Sequence, residues 1–113
     1  MASVPKSSPV PVPKAMTAVS FPGEVKLQWT ELQDLNIRFN VYRAPVGSND
    51  FEKLNASPLP IAEYSDVSFE GNVSYRYVVR SINRRQVESQ PSEEIICHAL
   101  PEAKKPVVME TVK

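Results

Sequence analysis

Three stretches of this chain alternate apolar and polar side chains with a period of two. In residues 24–30 Val25, Leu27 and Trp29 fall on one face, and in residues 37–43 Ile37, Phe39 and Val41 do the same. Residues 75–81 place Tyr75, Tyr77 and Val79 together and Arg76 and Arg80 opposite. Successive side chains of a strand point to opposite faces, so this pattern describes strands with one dry side and one wet side. Weaker strands are expected over residues 15–20, 51–54, 62–66 and 94–99. Turn-forming residues separate them: Pro22-Gly23, Gly47-Ser48-Asn49-Asp50, Ser57-Pro58 with Pro60, Gly71-Asn72, and Gln90-Pro91-Ser92. No segment of ten or more residues carries a helical period. Seven short strands with one apolar face predict an all-β antiparallel sandwich.

The length of 113 residues allows one domain with one real core. Lys plus Arg and Asp plus Glu number 13 each, so the net charge is zero. That balance argues against a nucleic-acid binder, whose affinity rests on neutralising phosphates. No apolar run approaches the roughly 20 residues of a membrane-crossing helix. The first 30 residues show no secretory signal, which implies a mature form or an excised piece beginning with an added Met1-Ala2. A single Cys permits no internal disulfide, and one His with one Cys cannot build a structural zinc site.

Six of the eleven prolines crowd into the two ends. Residues 1–13 are expected to be a Pro-rich N-terminal linker, because proline fixes φ and removes a donor. Its Pro9-Val10-Pro11-Val12-Pro13 run reads as a spacer from an anchor or another module, or else as a polyproline ligand. Residues 101–113 are expected to be a C-terminal tail or linker. Within it, Val107-Val108-Met109 either starts a neighbouring domain or adds a strand to an open sheet edge.

Between these ends, over residues 13–100, the chain resembles a fibronectin type III domain of bacterial style. The resemblance rests on Trp29, the phrase Phe39-Asn40-Val41-Tyr42-Arg43, and Phe51-Glu52-Lys53-Leu54 at the spacing of the next short strand. It continues through Tyr64-Ser65-Asp66, the corner segment Phe69-Glu70-Gly71-Asn72-Val73-Ser74-Tyr75, and Glu88-Ser89-Gln90-Pro91-Ser92. The resemblance implies a seven-stranded antiparallel immunoglobulin-like β-sandwich with its domain at residues 14–100. Trp29, Phe39, Val41, Tyr75, Tyr77 and Val79 are then its core. Tyr75 is expected to bury its ring and hydrogen-bond its hydroxyl to upstream backbone. Residues 83–87 lack the glycine usual before the last strand, so the loop is expected to be better ordered or to hold Asn83 in a left-handed conformation. No Arg-Gly-Asp triplet occurs.

Side chains that could carry chemistry are few. His98 sits beside Cys97, but neighbours on a strand face opposite ways, which leaves His98 on the surface and Cys97 toward the core as a small hydrophobe. The alternative for Cys97 is an exposed thiol in an intermolecular disulfide. Glu24, Glu31, Asp34, Asp50 and Glu52 lack the spacing of an oxygen-ligand loop and read as solvated charge. Asn72-Val73-Ser74 and Asn55-Ala56-Ser57 fit the glycosylation pattern, which arises often by chance. No catalytic, cofactor-binding or metal-binding residue is assigned.

The most suggestive polar group is Arg76, Arg80, Arg84 and Arg85, the candidate partner-binding residues. Arginine is enriched in binding hot spots. The blander reading, preferred on balanced charge, pairs them with Glu88, Glu93 and Glu94. The resemblance implies a non-enzymatic protein–protein interaction or spacer module of a cell-surface, periplasmic or extracellular assembly. Its partner would be a cell-envelope or filament protein, with self-association through an edge strand or the tail as a further route. The alternative is an accessory linker domain of a secreted polysaccharide-degrading enzyme. Against that alternative, most aromatics other than Trp29 are expected in the core, leaving little for sugar stacking.

Overall fold

The computed structural model describes residues 10–102 and contains seven strands in two sheets. They are β1 (Thr17–Phe21), β2 (Glu24–Gln28), β3 (Arg38–Pro45), β4 (Glu52–Lys53), β5 (Glu63–Asp66), β6 (Val73–Ile82) and β7 (Ile95–Ala99). One sheet has the order β1-β2-β5 and the other β4-β3-β6-β7, with all neighbours antiparallel. The tail segment Val107-Val108-Met109 and the prolines Pro5 and Pro9 lie outside the described residues.

Parity decides which side chains meet. Val25, Leu27 and Trp29 from one sheet interdigitate with Phe39, Val41, Tyr75, Tyr77 and Val79 from the other. The Trp29 indole meets the Phe39 ring edge-on, with centroids 5.3 Å apart. Its Nε1 is buried with no hydrogen-bond partner among the described residues. Ahead of β1, Val10 packs against this core and Pro13 is buried. Ala15 has φ 60°, a kink that keeps β1 from starting before Thr17.

Two glycines hold the end of the sandwich beside Leu100 and Pro101. Gly23 (φ 81°) turns between β1 and β2 and donates its N–H to the Leu100 carbonyl at 3.0 Å. A Cβ on Gly71 would stand 2.7 Å from Pro101 Cα, closer than packed carbons approach, so the corner admits only glycine there.

Strand β7 pairs with β6 only as far as Tyr77 opposite Ile95. Beyond that, two serines replace the missing ladder. Val79 N–H donates to Ser92 Oγ at 2.9 Å, and Ser92 N–H returns a bond to Val79 O at 2.8 Å. Ser81 N–H donates to Ser89 Oγ at 2.9 Å, and Ser89 N–H to Ser81 O at 2.8 Å. The Ser89-x-x-Ser92 phrase thus satisfies a strand edge that would otherwise be buried and unpaired. The corner also forms as expected. Tyr75 is buried and its hydroxyl oxygen accepts the Glu70 N–H at 2.9 Å.

Candidate functional site

The outward face of the four-stranded sheet gathers most of the polar candidates. Ser74, Arg76, Val78, Arg80 and Ile82 share the outer parity of β6, and the register sets Val78 opposite Tyr42 and Arg80 opposite Asn40. Val78 points away from the core yet is only 6% exposed, because neighbouring side chains roof it. A groove of about 570 Å³ runs here, lined by Tyr42, Phe51, Val78, Arg80, Glu88 and Pro91 among others.

Both arginines of this face are paired. Arg76 Nη2 lies 2.6 Å from Glu94 Oε2, its Nη1 donates to the Ser48 carbonyl, and its guanidinium sits 4.9 Å above the Phe51 ring. Arg80 donates to Ser89 O at 2.9 Å, lies 4.0 Å from Glu88 and stands 5.9 Å from the Tyr42 ring centre. Glu88 Oε2 also accepts from Asn40 Nδ2 at 2.7 Å and from the Tyr42 hydroxyl. Burial, followed by the Glu88 hydrogen bond and charge, pushes the Tyr42 phenol up to about 12, with Arg80 opposing. The hydrogen bond to Glu94 raises the Arg76 guanidinium, and Arg76 in turn lowers Glu94. This exposed pair orients side chains more than it stabilises the fold.

Arg84 and Arg85 are set apart from that face, on the loop after β6. The loop is closed by Asn83, whose Oδ1 accepts the N–H groups of Arg85 at 2.9 Å and Val87 at 3.0 Å. The left-handed residue is Gln86 (φ 67°), not Asn83. Asn83 serves through its side chain, and the turn places the positive φ three residues later. The four arginines expected to act together therefore divide into a paired couple and a loop couple.

The interior also holds a polar cluster. Asp66 of β5 accepts from Arg43 Nη1 of β3 and from the Tyr77 hydroxyl of β6, while Arg43 covers the Tyr75 ring at 4.6 Å. A usable signal was present. Arg43 shares the inward parity of Phe39 and Val41, and Asp66 that of Tyr64, so two opposite charges were aimed into one core.

Cys97 is free and buried, with Sγ 2.9 Å from Ser20 Oγ. His98 is exposed and pairs through Nδ1 with Ser74 Oγ at 2.9 Å. No carboxylate hydrogen-bonds that imidazole among the described residues, so the Ser–His contact lacks an orienting acid. Asn55 is buried and fully engaged, accepting from Val41 N–H at 2.7 Å and donating to Asn40 Oδ1 and Ser57 O at 2.9 Å. Asn72 is exposed in a turn with φ 68°. Among the described residues no cluster of three or more His, Cys, Asp or Glu is placed to hold a metal ion. No helix among them is long and apolar enough to cross a membrane.

Solved structures share this architecture. An Fn3-like protein from Clostridium thermocellum superposes with a TM-score of 0.66 at 23% identity, over 82% of this chain and 95% of that one. The fold is that of a fibronectin type III domain. The FN1-FN3 domains of chicken CNTN1 share the fibronectin type III fold with a TM-score of 0.67 at 17% identity, over 85% of this chain and 36% of that one. A β-1,2-glucanase from Parabacteroides distasonis matches with a TM-score of 0.66 at 20% identity, over 90% of this chain and 14% of its own. No family model matches the sequence, and no curated protein does.

Proposed function

We propose that the chain is a non-enzymatic protein–protein interaction or spacer module, working at the cell surface, in the periplasm or outside the cell. The observation that carries this reading is the outer face of the β4-β3-β6-β7 sheet. It presents an open groove with an aromatic and proline lining, framed by oriented arginines. Aromatic area with fixed guanidinium groups is the composition of a protein-binding hot spot. Arg76 and Arg80 on this face, with Arg84 and Arg85 on the loop beyond it, are the contacts, and the partner is a cell-envelope or filament protein. Self-association through an edge strand or the tail is the variant of this reading that needs no second protein. The test captures partners from the envelope fraction of the producing cells on immobilised wild type and on Arg80→Glu and Arg84→Glu/Arg85→Glu chains. Partners retained by wild type and lost by the variants support it. Identical retention by all three removes the arginines from the interface.

A second reading, an accessory domain of a polysaccharide-degrading enzyme, draws on one observation. Tyr42 and Phe51 lie outside the core and line the groove, where a sugar ring can stack. Retardation in gels cast with soluble polysaccharides, abolished by Tyr42→Ala, would favour it over protein binding.

A further inference from the structure

Arg38, Arg84 and Arg85 have no carboxylate within ion-pair distance among the described residues, whereas Arg43 has two and Arg76 and Arg80 one each. In a chain of zero net charge, these three arginines form a local excess of positive charge. The register explains why it is concentrated. Arg38 opens β3 directly opposite Ile82, and Arg84 follows two residues after β6 ends there. Arg38 and Arg84 line one groove of about 420 Å³ with Asn36, Asn83 and Gln86, and Arg85 is the next residue of the same loop. Asp34, the acid nearest in sequence to Arg38, turns Oδ1 back onto the Asn36 N–H at 2.9 Å.

The loop that presents these cations is already set. The Asn83 carbonyl accepts the Gln86 N–H at 3.0 Å and the Asn83 N–H donates to Val87 O at 3.1 Å, in addition to its two side-chain bonds. A partner therefore meets arginines on a closed turn and orders little backbone on binding. Guanidinium groups match carboxylates as planar forks. The primary amides of Asn36 and Gln86 in the groove offer donors and acceptors suited to a peptide main chain.

We propose that this groove docks an extended acidic segment of a protein partner, with its carboxylates on Arg38 and Arg84 and Arg85 supplying the flanking charge. The inference rests on the interaction-module reading and names the chemistry of its partner. A nucleic acid is the lesser fit, because the balanced charge provides no broad positive field to hold a run of phosphates.

The test titrates the isotope-labelled full chain with hexaglutamate peptide and follows amide shifts by NMR. Shifts confined to residues 36–38 and 82–87, weakened about tenfold or more by Arg38→Glu or Arg84→Glu and retained in Lys26→Glu, an exposed lysine on β2 of the other sheet, are the expected result. These side chains are on the surface, and matching circular dichroism spectra establish that each variant folds. Absence of shifts in the groove at low salt, or equal weakening by Lys26→Glu, overturns the proposal. So does tighter binding of a single-stranded oligonucleotide than of hexaglutamate at the same ionic strength. Partner capture that depends on Arg80 alone, with no hexaglutamate response, would sink this inference and leave the module reading standing.

Discussion

Arg43 on β3 reaches across the sandwich to Asp66 on β5, placing Nη1 2.8 Å from Oδ2. The Tyr77 hydroxyl donates to the same oxygen at 2.5 Å, and Ser68 gives Oδ1 its N–H at 3.0 Å and its hydroxyl at 2.9 Å. Asp66 is 0% exposed. Burial alone would raise its pKa, but the donors of Tyr77, Ser68 and Arg43 together hold it below the usual carboxylate range. Burial likewise works against the Arg43 charge, and Asp66 more than offsets it. The charge survives in the interior because every direction it faces holds a donor.

Removing one partner of this pair is expected to be costly. Asp66→Ala leaves a buried guanidinium and a buried phenol without their acceptor, at a cost of about 3–5 kcal/mol. The sign with pH follows from the lowered pKa. Asp66 contributes stability above its unfolded value near pH 4, and that contribution is lost as pH falls through its folded value. Urea midpoints should drop steeply below about pH 4 in the wild type. In Asp66→Asn they should be lower throughout and flatter in acid. Parallel pH profiles for the two chains would refute this.

Tyr75→Phe keeps the ring in the core and deletes the acceptor of the Glu70 N–H. A loss of about 1 kcal/mol is expected, read as a lowered melting midpoint with an unchanged circular dichroism spectrum. An unaltered midpoint would mean that the corner bond adds nothing to stability.

Ser89→Ala and Ser92→Ala each strand one buried backbone N–H, on Ser81 and Val79 respectively. Each should cost about 1–3 kcal/mol. Hydrogen exchange supplies the local readout. The Val79 and Ser81 amides should lose protection while Val41, on the neighbouring strand β3, keeps its own.

Tyr42 titrates late, at about 12, because burial and Glu88 disfavour the phenolate. A folded pKa above the unfolded value near 10 gives stability that is complete below about pH 10 and is lost as pH rises toward that higher value. Ultraviolet titration should show a tyrosine ionising in that window, absent in Tyr42→Phe and shifted downward in Glu88→Gln. A Tyr42 phenol ionising near pH 10 would contradict the contact with Glu88.

The Cys97 thiol should react with a labelling reagent far more slowly in the native chain than in urea, since it is buried beside Ser20. Equal rates would place it at the surface.

Much of the sandwich is legible in the order of residues along the chain. All seven strand positions, the inward residues and the corner bond follow from alternation and the ordered phrases, because strand parity is a local property. The aromatics show where that legibility thins. Phe39, Tyr75 and Tyr77 are core, whereas Phe21 is exposed and Tyr42 and Phe51 line the outer groove. Tyr42 has outward parity, but nothing in its neighbourhood along the chain says that Arg80 and Glu88 will surround it.

By itself the sequence determined which side of each strand is dry, since that depends only on the order of residues within it. Tertiary structure alone decided which charges meet. Arg76 and Arg80 found Glu94 and Glu88, Arg43 found Asp66 across the core, and Arg38 and Arg84 were left lining a groove. An ion pair needs two groups within about 4 Å. Residues far apart along the chain reach that distance only once the sheets have stacked.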